Sequence, residues 1–203
     1  MWRGGIVPIF AWMIQHDLFA APAAALPPGL MRSDLLIGAE EQRILASRID
    51  AEALTPFRFQ GWLGKRLTRS FGWSYDFDRG RLLPGDPLPD WLVAVRDAVA
   101  RFAGMDPTRL EQAMLIRYDP GAGIGWHKDR PAFDHVIGLS LGAACELRLR
   151  RRRPGGFDRA SIPLTPGHAY LLSGEVRHGW EHSIAPVTDT RWSITFRSMA
   201  SDK

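Results

Sequence analysis

The sequence predicts a mainly β protein of the α+β class, a jelly-roll or barrel with helices packed on its outside. The chain has 203 residues, of which 45% are hydrophobic and 24% charged, as expected for one ordinary globular domain. Two amphipathic segments come first, and about eight short segments of strand character, separated by Gly and Pro, follow them. Many short strands after two helices are typical of barrels and sandwiches that carry added helices.

The first 34 residues are predicted to form an extended, possibly disordered leader ahead of a single domain at 35–203. An apolar run at 6–14 and an Ala-rich stretch at 20–25 give a faint likeness to a secretory signal. The apolar run is short, however, and polar residues at 15–17 interrupt it. It is also too short to span a membrane. We therefore expect this segment neither to direct secretion nor to anchor the chain.

Charge and cysteine content bear on the compartment and the partner. The net charge is +4 and the pI about 9.7, a mild basic excess that suits an anionic partner without requiring one. Cys145 is the only cysteine, so no intramolecular disulfide can form, which fits a reducing compartment. We expect a cytoplasmic monomer that does not bind membranes.

Two helices are predicted ahead of the strands. The first runs from Ala39 to about Ala53 because apolar residues recur there at helical spacing among charged ones. Its apolar residues are Ile44, Leu45 and Ile49. The second begins at Asp90, a plausible N-cap, and ends just before Gly104. Its apolar stripe consists of Trp91, Val95, Val99 and Phe102.

Between these helices, aromatic and basic residues interleave in FRFQGWLGKRLTRSFGWSYDFD, residues 57–78. We predict a β-hairpin here, with one strand around 57–62, a turn at 63–66 and a second strand. The second strand places four rings on one face, those of Phe71, Trp73, Tyr75 and Phe77.

Short strands are predicted to fill the C-terminal half. They lie at Ala113–Tyr118, Gly125–Asp129, His135–Leu141, Cys145–Arg150, Ser161–Leu164, Ala169–Leu172, Gly179–Ile184 and Arg191–Arg197. The basic run Arg150–Arg153, followed by Pro-Gly-Gly, is predicted to be a charged hairpin tip. It is either a solvated turn or a contact for phosphate groups.

A His-x-Asp pair, His127 and Asp129, follows a glycine-rich turn in YDPGAGIGWHKD. Residues two apart on a strand point to one face, so this imidazole and this carboxylate can converge on one point. His182 is the candidate third ligand, and His178, four residues earlier, competes for the role. We prefer His182, because a ligand buried in a barrel should come from a strand and not from its mouth.

Two histidines and one carboxylate leave the other coordination positions of a metal ion open. This is the facial arrangement of non-haem Fe(II) oxygenases. Structural zinc sites instead usually close four ligands, and this chain offers one cysteine. A catalytic zinc with the same three ligands remains an alternative on ligand count.

The last predicted strand, RWSITFR, separates polar from apolar side chains. One face holds Arg191, Ser193, Thr195 and Arg197, and the other holds Trp192, Ile194 and Phe196. Arginines inside a barrel need anionic partners, because a buried unpaired charge is costly. A dicarboxylate cosubstrate would supply them, with Tyr118 adding a phenolic hydrogen bond. The alternative is that both arginines face solvent or pair with surface acids.

The order Tyr118-(x8)-His127-x-Asp129, then His182 in WEHSI, then Arg191-(x5)-Arg197 resembles the AlkB family of Fe(II)/2-oxoglutarate-dependent dioxygenases. The resemblance covers roughly residues 55–198. These are double-stranded β-helix enzymes that oxidatively dealkylate nucleic-acid bases and, in some branches, act on proteins. The resemblance implies that the two histidines and Asp129 are the catalytic iron ligands. It also implies that Arg191 and Tyr118 hold the distal carboxylate of 2-oxoglutarate, beside Ser193, with Arg197 near the chelating end.

The chain departs from the family pattern at three places. Ile116 stands two residues before the motif tyrosine, where the family often has Asn. Ser193 stands two residues after the first motif arginine, where Asn is again frequent. Arg130-Pro131-Ala132 replaces the acidic pair that helps the bacterial DNA-repair type to read a damaged base. These departures affect cosubstrate hydrogen bonds and, above all, base selectivity.

The resemblance also implies a role for the hairpin, which fits the family's nucleotide-recognition lid. On this interpretation Trp62, Trp73 and Tyr75 stack on bases, and Lys65, Arg66 and Arg69 contact phosphates. The alternative is that the alternating rings simply belong to the core, which is the commoner use of such a strand.

The implied activity is oxidative dealkylation of N-alkylated bases in DNA or RNA, as in DNA repair. The reaction would use Fe(II) as its cofactor and consume 2-oxoglutarate and O2. It would release succinate, CO2 and formaldehyde. One alternative is the same chemistry on tRNA or on a methylated protein side chain. Another is a non-catalytic nucleic-acid-binding jelly-roll module, which three converging metal ligands argue against.

Overall fold

The computed structural model describes residues 26–59, 61–77 and 79–200, without the side chains of Phe59 and Trp62. Most of the predicted leader, residues 1–25, therefore lies outside the described residues, as does the predicted stacking ring of Trp62.

The described residues contain three α-helices, one 3-10 turn and thirteen strands. The helices are α1 (Ala39–Ala51), α2 (Asp90–Ala103) and α3 (Gly174–Gly179), and the 3-10 turn is Pro107–Arg109. The strands are β1 (Leu30–Leu35), β2 (Thr55–Phe59), β3 (Trp62–Phe71), β4 (Trp73–Asp76), β5 (Arg81–Pro84), β6 (Gln112–Tyr118), β7 (Ile124–His127), β8 (Phe133–Gly142), β9 (Cys145–Arg153), β10 (Gly156–Leu164), β11 (His168–Leu172), β12 (Glu181–Ile184) and β13 (Arg191–Met199).

Two antiparallel sheets form the core of the fold. The larger has seven strands in the order β1-β11-β8-β13-β6-β3-β2, and the smaller has four in the order β10-β9-β12-β7. Strands β4 and β5 form a separate two-stranded hairpin. The arrangement is the predicted jelly-roll with helices packed outside it.

The central strands of the large sheet, β6, β8 and β13, are largely buried on both faces. On β13, Ile194 and Phe196 pack with α1 and α2 in one apolar cluster, with Trp192 partly buried against it. A second apolar cluster fills the space between the sheets, with residues such as Ile116 and Leu149. The side chains of β13 that point away from the helices therefore face the interior between the sheets.

Both predicted helices are present, with differences at single residues. Leu45 and Ile49 of α1 are buried, whereas Ile44 is 46% exposed and does not belong to the buried face of the helix. Asp90 is the first residue of α2 and not its N-cap; Pro89 occupies the N-cap without a side-chain hydrogen bond. Gly104 ends α2 as predicted, in the left-handed conformation with φ 64°.

The predicted leader is wrong over its last residues. Leu30–Leu35 forms β1, which pairs with β11 at the edge of the large sheet. Its Met31 and Leu35 are exposed, whereas Leu30 packs into the cluster between the sheets. This short strand directly follows an Ala/Pro-rich stretch. Its apolar content alone does not distinguish a strand from a linker in the sequence.

The predicted hairpin exists, but its turn and second strand are displaced. The chain turns at Gly61, which has φ 81°, and residues 63–66 lie within β3. Gly72, with φ 73°, then separates Phe71 from β4. A Cβ at Gly72 would lie 2.0 Å from a backbone oxygen of Glu111, so this break requires glycine. The prediction that four rings share one strand face is therefore wrong.

Tyr170 on β11 packs directly on the backbone of Gly138 on β8. A Cβ at Gly138 would lie 2.4 Å from the Tyr170 ring, which is buried. We expect Gly138→Val to lower the free energy of unfolding by about 1–3 kcal/mol through overpacking. Urea denaturation would measure this, with Gly125→Ala as the control, because a Cβ at Gly125 meets nothing within 4 Å. Equal midpoints for the two variants would contradict the prediction.

Candidate metal centre and cavity

A cavity of about 640 Å³ opens between the two sheets. Side chains of β6, β8, β11 and β13 form its wall on the large sheet, and β7 and β12 form the opposite wall. Residues of β2, β3 and β4 complete its lining. Its volume lies within the range of small-molecule sites, so the fold leaves room for a ligand at the centre of the jelly-roll.

His127, Asp129 and His182 converge in this cavity, with their ligand atoms all within 4.8 Å of one another. Within the described residues this is the one group of His, Cys, Asp or Glu side chains that could hold a metal ion. His127 on β7 and His182 on β12 are cross-strand partners, and their ring centroids are 4.2 Å apart. Asp129 follows the end of β7, so antiparallel pairing rather than a continuous strand completes the group.

The competing histidine lies elsewhere. Residues 174–179 form α3, so His178 lies on a short helix and β12 begins only at Glu181. The His178 side chain is 55% exposed, and its Nε2 lies 3.4 Å from Asp134 Oδ1. The structure thus brings His182, and not His178, to the His-x-Asp pair.

Both histidines are held in the form that binds metals. Nδ1 of His127 lies 2.9 Å from the carbonyl oxygen of Gly125. A carbonyl only accepts hydrogen bonds, so Nδ1 donates and Nε2 keeps a free lone pair. Burial lowers the pKa of His127, and burial together with the neighbouring His127 lowers the pKa of His182 to about 3. Two neutral imidazoles near pH 7 are what metal coordination requires.

Asp129 has one oxygen paired and one free. Nε of Arg197 donates to Oδ1 of Asp129 at 2.8 Å, and Nη2 of Arg197 forms an ion pair with the same oxygen at 2.7 Å. Oδ2 is buried and accepts no hydrogen bond, although it lies 3.5 Å from His182 Nε2. Burial alone would raise the pKa of Asp129, but Arg197 and the histidines outweigh it and hold the pKa far below its usual value.

A divalent cation fits these three side chains. An ionised carboxylate oxygen without a donor, facing two neutral imidazoles, is a costly arrangement unless a positive charge is bound there. Two nitrogens and one oxygen also match the facial donor set of non-haem Fe(II) sites. The orphaned Oδ2 of Asp129 therefore supports the iron that the motif resemblance implies.

Arg191 is a buried cation without a carboxylate partner among the described residues. It is 1% exposed, and its Nη2 donates to Ser140 Oγ at 3.3 Å. Its Nε and Nη1 are buried without hydrogen-bond partners. Its Cζ lies 5.1 Å from the centroid of the Tyr118 ring, its cross-strand neighbour. The solvent-facing alternative is excluded, and the unpaired guanidinium fits the distal carboxylate of a dicarboxylate such as 2-oxoglutarate.

The other predicted cosubstrate contacts lie in the cavity wall. Tyr118 and Ser193 line the cavity, whereas Arg191 is not part of the lining and lies against Tyr118. Arg197 lines the cavity beside Asp129, and its Nη1 donates to Gln112 Oε1 at 2.8 Å. The contacts of Arg197 therefore position the Asp129 carboxylate, a role that the sequence did not indicate.

Several lining residues were not predicted from the sequence. They include Gln112, Ile124, Trp126, Phe133, Val136 and Tyr170. Gln112 had a detectable signal, because it lies opposite Arg197 once β6 and β13 are paired in register. No signal in the sequence around Tyr170 indicated that it lines the cavity. Its ring packs on the backbone of Gly138, a residue on another strand.

The predicted basic cluster of the hairpin does not form one surface. Side chains alternate along β3, so Arg66 lines the cavity with Thr68 and Ser70, whereas Lys65 and Arg69 point the other way. Arg69 is already paired, with Glu52 at 2.9 Å and Asp86 at 3.2 Å. The three predicted phosphate contacts thus lie in different surroundings: Arg66 lines the cavity, Arg69 is paired with acids, and Lys65 is exposed.

The aromatic residues of the hairpin divide in a similar way. Tyr75 lines the cavity, together with Phe57 and Phe77, whereas Trp73 is not among the lining residues. The ring of Phe77 lies 5.2 Å from that of Phe57 and 5.0 Å from that of Tyr75. Arg130 lies 4.9 Å from the rings of Tyr75 and Phe77. Phe57, Tyr75, Phe77 and Arg130 thus form an aromatic, basic rim in the cavity lining, and Tyr75 is its one member among the predicted stacking residues whose side chains are described.

The Arg150–Arg153 run lies at the tip of the β9–β10 hairpin, as predicted. Its ion pairs join Arg150 to Glu181 at 2.6 Å, Arg151 to Glu175 and Asp158 at 2.6 Å and 3.1 Å, and Arg153 to Asp158 at 3.2 Å. Internal acids therefore partner three of the four arginines, which favours the structural interpretation of this run over a phosphate contact.

No helix in the described part of the chain combines the length and the apolar character that a membrane crossing needs.

Comparison with known proteins gives a family match and several relatives. The sequence model of the family described as 2OG-Fe(II) oxygenase superfamily matches residues 61–197. The Xenopus tropicalis protein named tRNA (carboxymethyluridine(34)-5-O)-methyltransferase alkbh8 is 31% identical over 169 residues, 80% of this chain and 26% of that protein. An Arabidopsis thaliana protein named alkylated DNA repair protein ALKBH8 homolog is 27% identical over 77% of this chain and 51% of its own length.

A second Arabidopsis thaliana protein, named RNA demethylase ALKBH9B, is 29% identical over 68% of this chain and 30% of its own length. This chain thus spans about a quarter to a half of the curated relatives it matches. Among solved structures, that of OsALKBH1 superposes with a TM-score of 0.67 at 13% identity, covering 87% of this chain and 100% of that one. This likeness supports the jelly-roll fold predicted from the sequence.

Proposed function

The chain belongs to the 2OG-Fe(II) oxygenase superfamily and is an AlkB-type 2-oxoglutarate-dependent dioxygenase, and from this premise we propose that it oxidises alkyl groups on nucleic-acid bases. The cofactors of the superfamily are Fe(II), 2-oxoglutarate and O2, and the fit of the cavity to a cation and a dicarboxylate agrees with them. The observation that carries the nucleic-acid proposal is the aromatic, basic rim that lines the same cavity as the His-Asp-His group.

In this proposal each cavity residue has a role that its contacts support. His127, His182 and the free Oδ2 of Asp129 bind iron, and Arg197 fixes the orientation of that carboxylate by binding Oδ1. Arg191 binds the distal carboxylate of 2-oxoglutarate, with Tyr118 and Ser193 beside it. When bound, the iron and its cosubstrate supply the oxidation of the alkyl group by O2.

The overall reaction balances for an N-methyl base. One oxygen atom of O2 enters the methyl group as a hydroxyl, and the other enters 2-oxoglutarate, which leaves as succinate and CO2. The hydroxymethyl group then loses its O–H proton, the C–N bond breaks, and formaldehyde is released with the base protonated. The protein contributes orientation, because the rim holds the base with its alkyl group facing the metal centre.

We also propose that the described residues form one oxygenase domain, with the lid at about 55–78 and the jelly-roll core at about 112–198. The pairing of β1 with β11 supports including residues 30–35 in this domain. The three converging ligands and the orphaned Asp129 oxygen weigh against a module that only binds nucleic acid.

A substrate panel tests the proposed function. Purified protein with Fe(II) and 2-oxoglutarate is expected to form succinate and formaldehyde in equal amounts with at least one alkylated DNA or RNA oligonucleotide. Mass spectrometry of the bases identifies the one consumed, and tRNA and methyl-lysine peptides in the same panel separate the alternative substrates. Turnover confined to the peptides would contradict the nucleic-acid proposal, and no succinate with any substrate would contradict the dealkylation as well.

A further inference from the structure

Asp129 lies beyond the strand that carries its neighbour in the metal group. β7 ends at His127, which pairs with His182 of β12, whereas residues 128–130 belong to no strand or helix. The small sheet therefore fixes the backbone of both histidine ligands but not the backbone that carries the carboxylate. A metal ligand outside regular structure needs other contacts to hold it in place, because affinity depends on residues that support the ligands.

A turn directly after Asp129 provides one such constraint. The amide nitrogen of Phe133 donates to the carbonyl oxygen of Arg130 at 3.0 Å and closes a four-residue turn with Pro131 at its second position. Proline suits this position, because its ring fixes φ near the value that the common turns require. The path of the chain after Asp129 is therefore defined by this turn.

Arg177 of α3 binds both ends of the turn. Its Nη2 donates to the carbonyl oxygens of Arg130 and Phe133, at 2.7 Å each. Nη2 carries two N–H groups, so one nitrogen can serve both carbonyls. The residue is 3% exposed. Burial lowers the pKa of Arg177 and the charge of Asp129 opposes this effect, so the guanidinium lies near the carboxylate.

A second contact joins the residue before Asp129 to the same helix. Nζ of Lys128 donates to the carbonyl oxygen of His178 at 3.0 Å. The chain is thus bound to α3 on both sides of Asp129, through Lys128 before it and Arg130 after it. Because one six-residue helix contacts both neighbours of a metal ligand, its contacts bear on that ligand and not only on general packing.

The same helix leads directly into the strand that carries another ligand. α3 ends at Gly179, and β12 begins at Glu181, the residue before His182. Arg177 therefore joins the segment that holds Asp129 to the segment that holds His182. Oδ2 of Asp129 lies 3.5 Å from Nε2 of His182, so a small displacement of the turn would change the geometry of the ligand atoms.

We propose that Arg177 is a positioning residue of the metal centre, which fixes the Arg130–Phe133 turn to α3 and so sets the position of Asp129 relative to His182. This inference rests on the proposed function, since it takes these two residues as metal ligands. Arg197 orients the carboxylate by binding Oδ1, whereas Arg177 determines where the backbone of Asp129 lies. Arg177 is not among the residues that line the cavity, so it acts through Asp129 and not through a bound ligand.

Metal titration tests this inference without turnover. Co(II), whose visible absorption depends on coordination number and geometry, replaces Fe(II) and is titrated at a temperature at which thermal unfolding shows each variant to be folded. Arg177→Met removes both hydrogen bonds and keeps an apolar stem. We expect it to raise the Kd of Co(II) by about 10–100-fold, the range for residues that support metal ligands. At saturating metal its spectrum should move towards that of Asp129→Ala, which lacks the carboxylate ligand.

Two further variants separate positioning from the stability of α3. Arg177→Lys keeps the charge but loses the planar fork, so it should bind Co(II) more weakly than the original protein and more tightly than Arg177→Met. It carries the test if Arg177→Met does not fold. Arg151→Met is the matched control, because Arg151 also binds α3, through Glu175 at 2.6 Å, and its other contacts are with Asp158 and Trp180. It should leave the Kd within about twofold and the spectrum unchanged.

Three results would overturn the inference. One is a Kd for Co(II) within about twofold of the original in the folded Arg177 variants. Another is weaker binding with the original spectrum at saturation, because Asp129 would then coordinate as before. The third is an equal loss of affinity in Arg151→Met, which would assign the effect to α3 as a whole. A failure of the proposed function looks different, because then the unmodified protein takes up no stoichiometric metal or Asp129→Ala binds it equally well.

Discussion

His127→Ala is expected to abolish stoichiometric iron binding and, with it, succinate formation. His127 supplies one of the three ligand atoms that lie within 4.8 Å of one another, and its Nδ1 hydrogen bond to Gly125 holds Nε2 free. Residues that only support metal ligands are worth about 10–100-fold in metal affinity, so loss of a ligand should exceed about 100-fold. Iron content after anaerobic loading, and succinate yield by mass spectrometry, would measure both effects.

His178→Ala is the matched control for this change. His178 lies four residues before the ligand His182 in the sequence, but its side chain is 55% exposed and contacts Asp134. We expect this variant to bind iron and form succinate at close to the original level. His127→Ala should also bind oligonucleotides within about threefold of the original affinity, since the rim is unchanged. Full iron occupancy in His127→Ala would contradict the assignment of the metal centre.

The metal group was predictable because its signals are local and chemically restrictive. His-x-Asp and a later strand histidine leave few alternatives in a chain with six histidines and one cysteine. The alternation of β13 was equally clear, since Ile194 and Phe196 had to leave Ser193 and Thr195 on the opposite face. Residue spacing within a strand is fixed by backbone geometry, so such predictions carry over into the fold.

The route by which the ligands meet was not predictable. The sequence suggested that His127 and Asp129 share a strand, yet β7 ends at His127. The convergence depends on the pairing of His127 with His182 across β7 and β12, which are far apart in the chain. Register between distant strands is set by the packing of the whole core, and a single sequence holds no direct record of it.

The lid shows how one displaced turn changes a functional prediction. Placing the turn at 63–66 put Lys65 and Arg66 in a loop, where both could reach phosphates. The turn lies at Gly61, so β3 extends through these residues, and period-two alternation then directs Arg66 into the cavity and leaves Lys65 outside. Once the boundaries of β3 are known, it follows that Lys65 and Arg66, as adjacent residues, lie on opposite faces of the strand.

Arg191→Met is expected to weaken 2-oxoglutarate binding by about 100-fold while stabilising the protein in its absence. Losing one partner of a buried charge pair costs about 2–5 kcal/mol of binding free energy, which corresponds to 30-fold or more. Without the cosubstrate, however, Arg191 is a buried cation whose Nε and Nη1 have no partner. Replacing such a charge by an apolar side chain of similar length should raise the free energy of unfolding by about 1 kcal/mol or more.

Thermal unfolding with and without 2-oxoglutarate measures both effects in one experiment. The original protein should gain Tm when the cosubstrate is added, because a ligand that binds only the folded state stabilises it. Arg191→Met should begin from a higher Tm and show little further gain. Arg117→Met is the control, since Arg117 lies on β6 at the surface and pairs with Asp50 and Asp119 at 3.0 Å and 2.9 Å. It should keep the full response to 2-oxoglutarate.

The opposite signs of the two effects make this the sharper test of the cosubstrate site. A residue that merely supports the fold would lower Tm on replacement, and the response to 2-oxoglutarate would remain. A residue kept for a ligand at the expense of stability shows the reverse pattern. Arg191→Lys distinguishes charge from geometry, because it keeps the cation but loses the planar fork that contacts a carboxylate at two points. Lower Tm with unchanged cosubstrate affinity in Arg191→Met would place the 2-oxoglutarate contact elsewhere in the cavity.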